Sequence, residues 1–455
     1  MAVSRLRALV TTVPADRPAP PPVTLPSWLL LPGLLALAGS LAAYAVFLDH
    51  DPLRGTDLSM YVGGARSFLH GEPVYRIGYT TLNLPYTYPP ITLPFLTPLT
   101  LLDDRAALYV WTVAGLLAML AALWFTTRML GYRGAPGRLG LAAAVLAVLV
   151  WTEPLHRTFY LGQINVFVLL LVVADLARPD RSRFKGVGIG VATSVKLLPG
   201  LFVVYLLLTR RIRAALVAGA TFAGLTVLGA VIQPGGSYDY WIAGRAFDSS
   251  RPLATSGPRY AANQSLQGLV ARLLGSDDLN SRPWMLAVVL AGVAGLALAV
   301  ALHRQGEEAA AMVMAGFTTL AVSPVSWSHY WLWIGPAALV LIDLTRRARG
   351  PARVPAAVLA VAAVLPFLLW PGRDRTGATV PRGLIWTAAH MEGTAKTLAV
   401  DAYLLTVLVL CLLAVAWLLL LRRRRPVAAP EPAPPEHEPP DRELPDRGPA
   451  DREPV

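Results

Sequence analysis

Asp57, Lys196 and His329 are the residues of this sequence best suited to chemistry, and each lies among apolar neighbours. Asp57 sits in "RGTDLSMYVGGARSFLHGEPVY", residues 54–75, just after the first apolar segment. Leu58, Tyr61, Val62, Ala65, Phe68 and Leu69 follow it at helical spacing, which predicts an amphipathic helix lying in a membrane interface. An Asp at the start of a helix is a favoured N-cap, and from the same place it can face a pocket. Lys196, in "GVATSVKLLPG", is deep in an apolar segment. A charge near mid-membrane is costly and is usually paired or functional, unless its long stem carries it to the interface. His329 sits in "SWSHYWLW". An imidazole donates to a phosphate or shuttles protons, while Trp327, Trp331 and Trp333 around it read as an aromatic belt at headgroup level.

Neutral amides accompany these groups. Gln163 and Asn165 fall in "GQIN", 162–165, and Asn263 and Gln264 in "NQSLQG", 263–268. Such amides suit sugar hydroxyls and phosphate oxygens, and in loops they equally serve caps and turns. The pair "DD" at 103–104 is not spaced as a chelating pair and the histidines are scattered. No phosphate loop or dinucleotide fingerprint is present. Neither a metal, a cofactor nor a cytosolic nucleotide-sugar site is expected.

The elements that must position these residues are membrane helices. The 455 residues are 55% hydrophobic and only 15% charged, with a mean hydropathy of +0.51. A soluble domain carries roughly 25% charged residues. The expected fold is all-α, a polytopic transmembrane bundle of about 10–12 membrane segments. Crossings are predicted near 27–48, 106–130, 139–152, 161–177, 213–233, 284–303, 309–325, 330–345, 354–370 and 401–421. The formal charge of +12 is therefore no nucleic-acid signal, because Arg and Lys cluster between spans. The single cysteine, Cys411, excludes an intrachain disulfide.

Basic loops orient the bundle. "RMLGYRGAPGR" (128–138), "RPDRSRFK" (178–185), "RRARGPAR" (346–353) and "RRRR" (422–425) mark the cytoplasmic side. Residues 49–84, 153–165, 234–282, 323–331 and 371–400 then lie outside, and the polar, chemistry-capable residues gather there. Two stretches do not fit single crossings. "GVGIGVATSVKLLPGLFVVYLLL" is flanked by basic residues on both sides, so it must go out and return, yet it is too short for two full spans. A broken helix pair with Lys196 near its tip is predicted, tolerated only inside protein or beside a water-filled cavity. "LPYTYPPITLPFLTPLTLLDD", 84–104, holds too many prolines for a regular helix and reads as an irregular outer element. The domain plan is a cytoplasmic lead at 1–26, a membrane domain at 27–425 and a disordered cytoplasmic tail at 426–455, where "DRELPDRGPADREPV" repeats Asp-Arg among prolines.

The ordered motifs "TDLSMYVGGARSFLHGEPVY", "LPYTYPPITLPFLTPL", "EPLHRTFYLGQINVFVLLL", "GVATSVKLLPG", "NQSLQG" and "SPVSWSHYWLWIGP" together resemble the actinobacterial polyprenol-phosphate-mannose-dependent α-1,2-mannosyltransferases, membrane enzymes of the GT-C superfamily. One member elongates phosphatidylinositol mannosides. The resemblance runs from about residue 27 to about residue 345. That family usually reads "SHHW" where this chain has Ser328-His329-Tyr330-Trp331, so a second histidine has no counterpart. The resemblance implies a polyprenyl-phosphate sugar donor, a glycolipid or lipoglycan acceptor, an inverting mechanism, and an active site on the extracytoplasmic face of the plasma membrane. It maps an acidic general base onto Asp57. Lys196, His329, Asn263 and Gln264 become contacts of the donor phosphate and sugar, with Gln163, Asn165 and Tyr88 as further substrate contacts. Other readings remain open at this point. One is an arabinofuranosyltransferase using a polyprenyl-phosphate donor. Another, in a different class, is a lipid or sugar transporter or flippase, since broken helices and intramembrane charges occur there too.

The composition of the tail yields a first prediction. Truncation after Arg425 is expected to leave membrane insertion and specific activity unchanged. A normally inserted truncation with reduced turnover would show that the tail participates.

Overall fold

The computed structural model describes residues 22–48, 53–248, 250–253, 256–278, 282–373, 379–388 and 391–423. The predicted tail at 426–455, and residues 1–21 of the predicted lead, lie outside the described residues. The architecture is helical, and the strands among the described residues are two or three residues long. Among the described residues six helices are long and apolar enough to cross a membrane: Ser27–Leu48, Asp104–Met129, Ile212–Ile232, Arg282–Arg304, Gly350–Phe367 and Ala402–Leu419. The crossings expected at 139–152, 161–177, 309–325 and 330–345 are shorter helices, Ala135–Leu149, Asn165–Leu176, Glu308–Val322 and Ile334–Arg347. These sit at the centre. Residues 311–321 of Glu308–Val322 are all buried, so this helix is enclosed by protein along most of its length.

Small residues and caps set how these helices meet. A Cβ at Gly33 would run into the backbone of Gly140, so the 27–48 and 135–149 helices touch through their main chains. Asp103 caps the 104–129 helix by accepting from Ala106 N at 2.9 Å.

The broken pair forms as the basic flanks require. Val187–Val195 and Leu201–Leu208 are helices of nine and eight residues, separated by Lys196, Leu197 and a 3-10 turn at Leu198–Gly200. A Cβ on Gly186 would meet Ala214 and Ala218, and one on Gly190 would meet Ala218 and Thr221. The outgoing half therefore runs parallel to the 212–232 helix, and the returning half brings the chain back to that helix's start. Arg211 bridges Asp180 at 3.2 Å, which brings the two flanks together. Proline-rich 84–101 is irregular only in its first part, where Leu84–Pro85 pairs with Gly78–Tyr79. Contrary to expectation, Thr92–Leu96 is α-helical and Thr97–Leu101 continues it as a 3-10 helix, with Pro98 near the start of that turn where its missing N–H costs nothing.

The loops gather at two ends. At one, Lys185–Asp180 (2.6 Å), Arg211–Glu308 (2.7 Å), His303–Glu308 (2.5 Å), Arg347–Glu307 (2.6 Å) and Arg346–Asp343 (2.8 Å) knit the basic loops together. Tyr132 donates to Asp343 at 2.8 Å, adding the 128–138 loop. At the other, Arg76 pairs with Asp239 at 3.0 Å and Arg272 with Asp401. Gln264 N donates to Ser326 O at 2.7 Å. These join 49–84, 234–282, 323–331 and 371–400. The sorting matches the charge-based division of the loops into two sets.

Labelling tests which end faces out. In a Cys411→Ala background, Ser59→Cys is expected to react with a membrane-impermeant maleimide on intact cells. Arg181→Cys should react only after lysis. The reverse pattern would invert the topology.

Candidate active site

Gly55, at φ +62°, holds the position before the Thr56–Leu69 helix, and no side chain caps that helix. Glycine takes this left-handed turn at no steric cost. Asp57 is therefore not the N-cap; it lies inside the first turn. The amides of Arg54 and Gly55 both donate to Tyr160 O at 2.9 Å, seating the turn on the end of the Glu153–Leu161 helix. Leu58, Tyr61, Val62 and Ala65 form its buried face.

A directed hydrogen-bond chain links Asp57 to Lys196. Lys196 Nζ donates to Asn165 Oδ1 at 2.8 Å. Asn165 Nδ2 donates to Gln163 Oε1 at 3.0 Å, and Gln163 Nε2 donates to Asp57 Oδ2. Each amide receives at its oxygen and gives at its nitrogen, so the positive and negative ends are joined with no donor facing a donor. Tyr61 and Tyr88 also donate to Gln163 Oε1, at 3.2 and 3.4 Å. Lys196 does not snorkel away. Its ammonium lies over the Tyr330 ring at 3.5 Å and near the Tyr88 ring at 5.6 Å. Gln163, Asn165 and Tyr88, expected as substrate contacts, thus hold the two charged groups in place.

Burial pushes the Asp57 carboxyl above its ordinary value. The Gln163 hydrogen bond and the positive charges of Arg157 and Lys196 oppose that rise without cancelling it. Among the described residues nothing donates to Asp57 Oδ1, which leaves one oxygen of a half-buried carboxylate open. Arg157 belongs to this site although its sequence context did not distinguish it from other loop arginines. Its charge acts on Asp57, Glu153 and His329, and its guanidinium lies over the rings of Tyr160 and Trp386.

His329 joins the cluster. It is 5% exposed, its ring meets the Tyr330 ring edge-on at 4.9 Å, and its buried Nε2 has no hydrogen-bond partner among the described residues. The aromatic-belt reading of its neighbours does not hold for Trp331 and Trp333. Both are core residues, and Trp333 stacks on Phe202 at 5.3 Å. Asn263 and Gln264 are not brought to the Asp57–Lys196 chain. Both are fully buried. Asn263 Oδ1 accepts from Ser326 N at 3.0 Å, and Gln264 Nε2 donates to the carbonyls of Ala261 and Val400 at 2.6 and 2.7 Å. Their amides brace the loop that carries His329.

Two other carboxylates compare unfavourably with Asp57. Glu72 is exposed and accepts from Ser67 at 2.7 Å. Glu153 is 1% exposed and receives Ser328 Oγ at 2.7 Å, Trp386 Nε1 at 3.0 Å and Tyr403 Oη at 2.9 Å. Its oxygens are occupied in tying four segments together.

Beside the chain opens a cavity of about 430 Å³. Lys196, Tyr88 and Tyr330 line it, with Leu197, Leu198 and Leu201 of the broken pair. It can hold an anion next to a hydrocarbon.

A family model described as Glycosyltransferase family 87 matches residues 86–324. The chain belongs to glycosyltransferase family 87. It is 34% identical over 354 residues to a polyprenol-phosphate-mannose-dependent α-(1-2)-phosphatidylinositol mannoside mannosyltransferase of Mycobacterium tuberculosis, covering 74% of this chain and 81% of that one. A polyprenol-phosphate-mannose-dependent α-(1-2)-phosphatidylinositol pentamannoside mannosyltransferase of the same species is 32% identical over 367 residues, covering 78% and 82%. A Mycolicibacterium smegmatis protein with the first description is 32% identical over 380 residues, covering 77% and 84%. No solved structure gives a significant match. The span matched to family 87 contains Tyr88, Gln163, Asn165 and Lys196, begins after Asp57 and ends before His329.

The geometry separates the carboxylates by experiment. Asp57→Asn can keep the Gln163 hydrogen bond while it removes proton acceptance and the negative charge facing Lys196. Loss of sugar transfer by at least about 100-fold is expected in protein that still expresses and inserts. Glu153→Gln should instead lower Tm, and Glu72→Gln should do little. An active Asp57→Asn enzyme would remove Asp57 from the reaction.

Proposed function

We propose that this family 87 glycosyltransferase moves mannose from a polyprenyl-phosphate donor to a phosphatidylinositol-mannoside type of glycolipid. The linkage formed is α-1,2, with inversion, at the extracytoplasmic face of the plasma membrane. The observation that carries this reading is the chain from Asp57 through Gln163 and Asn165 to Lys196, standing beside a cavity that is cationic and apolar at once. The relatives' names speak for mannose over arabinose as the sugar, and for a phosphatidylinositol mannoside as the acceptor.

In this mechanism the open Oδ1 of Asp57 takes the proton of the acceptor hydroxyl as its oxygen attacks the anomeric carbon. The bond from that carbon to the phosphate oxygen breaks, and the electron pair leaves with the phosphate. A single positioned base suffices for inversion. Departure of a phosphate calls for charge stabilisation more than for an acid, which Lys196 supplies from the far end of the chain. The unpartnered Nε2 of His329 is placed for a sugar hydroxyl or a phosphate oxygen. The leucines of the broken pair receive the polyprenyl tail. A transporter would need its polar site near the midplane with access from both sides, whereas these groups lie among the loops of one end.

The decisive assay incubates purified protein with polyprenyl-phosphate mannose, polyprenyl-phosphate arabinose and candidate glycolipids, and identifies products by mass spectrometry. Mannosylated glycolipid of inverted anomeric configuration is expected. Transfer of arabinose alone, or flux across vesicles without donor consumption, would replace the reading. Lys196→Met should weaken donor use by about one to two decades, from loss of a charge-assisted contact of about 1.5–3 kcal/mol, with acceptor KM unchanged. Because the Asp57 carboxyl is raised, activity should fall with decreasing pH at values above the ordinary carboxylate range, as the base becomes protonated.

A further inference from the structure

Arg245 and Arg251 converge on one carbonyl beside the cavity that Lys196 lines. Arg245 Nη1 donates to Tyr75 O. Arg251 Nη2 reaches the same oxygen at 3.4 Å and Tyr86 O at 3.4 Å. Both side chains line the cavity of about 430 Å³. Carbonyls offset part of the repulsion between the guanidiniums but carry no net charge. Two carboxylates are near. Asp239 feels both arginines, yet its oxygens are taken by Arg76 Nε and Nη2 at 3.0 and 3.1 Å. Asp248 lines the cavity, is exposed, and accepts from Ser250 N and Oγ at 3.0 and 2.5 Å. The lining carries Lys196, Arg245 and Arg251 against Asp248, and Asp57 answers Lys196 through the two amides, so three positive charges stand against two negative, a surplus of one. Like charges crowded near low-dielectric protein are costly unless an anion joins them.

We infer that Arg245 and Arg251 form a subsite for the lipid-linked phosphate and hold it as it leaves. The inference rests on the glycosyl-transfer reading. The donor phosphodiester carries one negative charge. When the bond to the anomeric carbon breaks, the electron pair stays on the phosphate oxygen and the acceptor's proton goes to Asp57. The phosphate becomes a monoester, whose second ionisation lies near pH 6. Charge thus accumulates on the phosphate as the acceptor's proton neutralises Asp57, so the surplus rises from one, which matches the bound donor, to two, which matches the leaving group. Contacts stronger in the transition state than in the ground state raise kcat. The aliphatic wall, with Val195, Leu197 and Leu201, runs on from the cations, so the phosphate taken is one attached to a hydrocarbon chain.

The test uses full-length protein, a short-chain polyprenyl phosphate, and the variants Arg245→Gln, Arg251→Gln and Arg251→Lys. Direct binding of the polyprenyl monoester is expected to weaken by about tenfold or more in each Gln variant, as charge-assisted hydrogen bonds are lost. Binding of the donor should weaken less, kcat should fall, and acceptor KM should hold. Arg251→Lys should recover most of the monoester binding, which a loop collapse would not permit. Unchanged monoester affinity in both Gln variants overturns the inference while leaving sugar transfer standing. So does a raised acceptor KM with intact donor terms, which would assign the pair to the acceptor's own phosphodiester. Arginine-dependent binding of the monoester by a parent protein that transfers no sugar would sustain the subsite and overturn the transfer reading instead.

Discussion

A buried ammonium and a half-buried carboxylate must answer one another, and here they do so through two side-chain amides. The requirement constrains much of the fold. Asn165 starts one helix, Gln163 precedes it after the turn at Gly162, Asp57 opens a third element, and Lys196 stands where a helix stops. A shift of any of these would leave a donor facing a donor or an uncompensated charge, which low-dielectric surroundings penalise heavily. The tyrosines at 61, 88 and 330 close the sides of the chain. The site's rigidity comes from helix ends and aromatic rings rather than from loops.

The loops have a different role. Glu153 ties together its own helix, Ser328, Trp386 and Tyr403, while Asn263 and Gln264 fasten the turn before His329. This polar layer lies over one end of the short central helices. It explains how Glu308–Val322 and Asn165–Leu176 serve with only fifteen and twelve residues.

Much of this was legible in the sequence. Flanking arginines revealed that 187–208 turns back, because charge bias and length conflicted at one segment, and prolines marked the irregular stretch before Thr92 but hid the short helix at 92–101. Asp57, Lys196, His329, Gln163, Asn165 and Tyr88 were singled out and do come together. Their partners were not legible. An amide in a polar loop looks alike whether it meets substrate, as expected of Asn263 and Gln264, or backbone, as found. Arg157, Arg245 and Arg251 escaped notice because long-range contacts alone, such as Arg245 with Tyr75, set them apart from other loop arginines. The Asp57 cap reading gave way because Gly55 takes the turn, a backbone fact invisible in residue type. Tryptophans 331 and 333 looked interfacial because composition does not report depth.

The broken pair bears on how the protein is made. Halves of nine and eight residues fall well short of the ~20 residues that halt as an independent span in a bilayer. Neither half can be lodged in the membrane as it is synthesised and left there alone, with Lys196 and the opened backbone between them. The outgoing half rests its glycines on Ala214, Ala218 and Thr221, which the ribosome makes later. Insertion of this stretch is therefore a tertiary event that waits for the 212–232 helix. The Asp57–Lys196 cluster thus depends on a helix that follows it in the sequence.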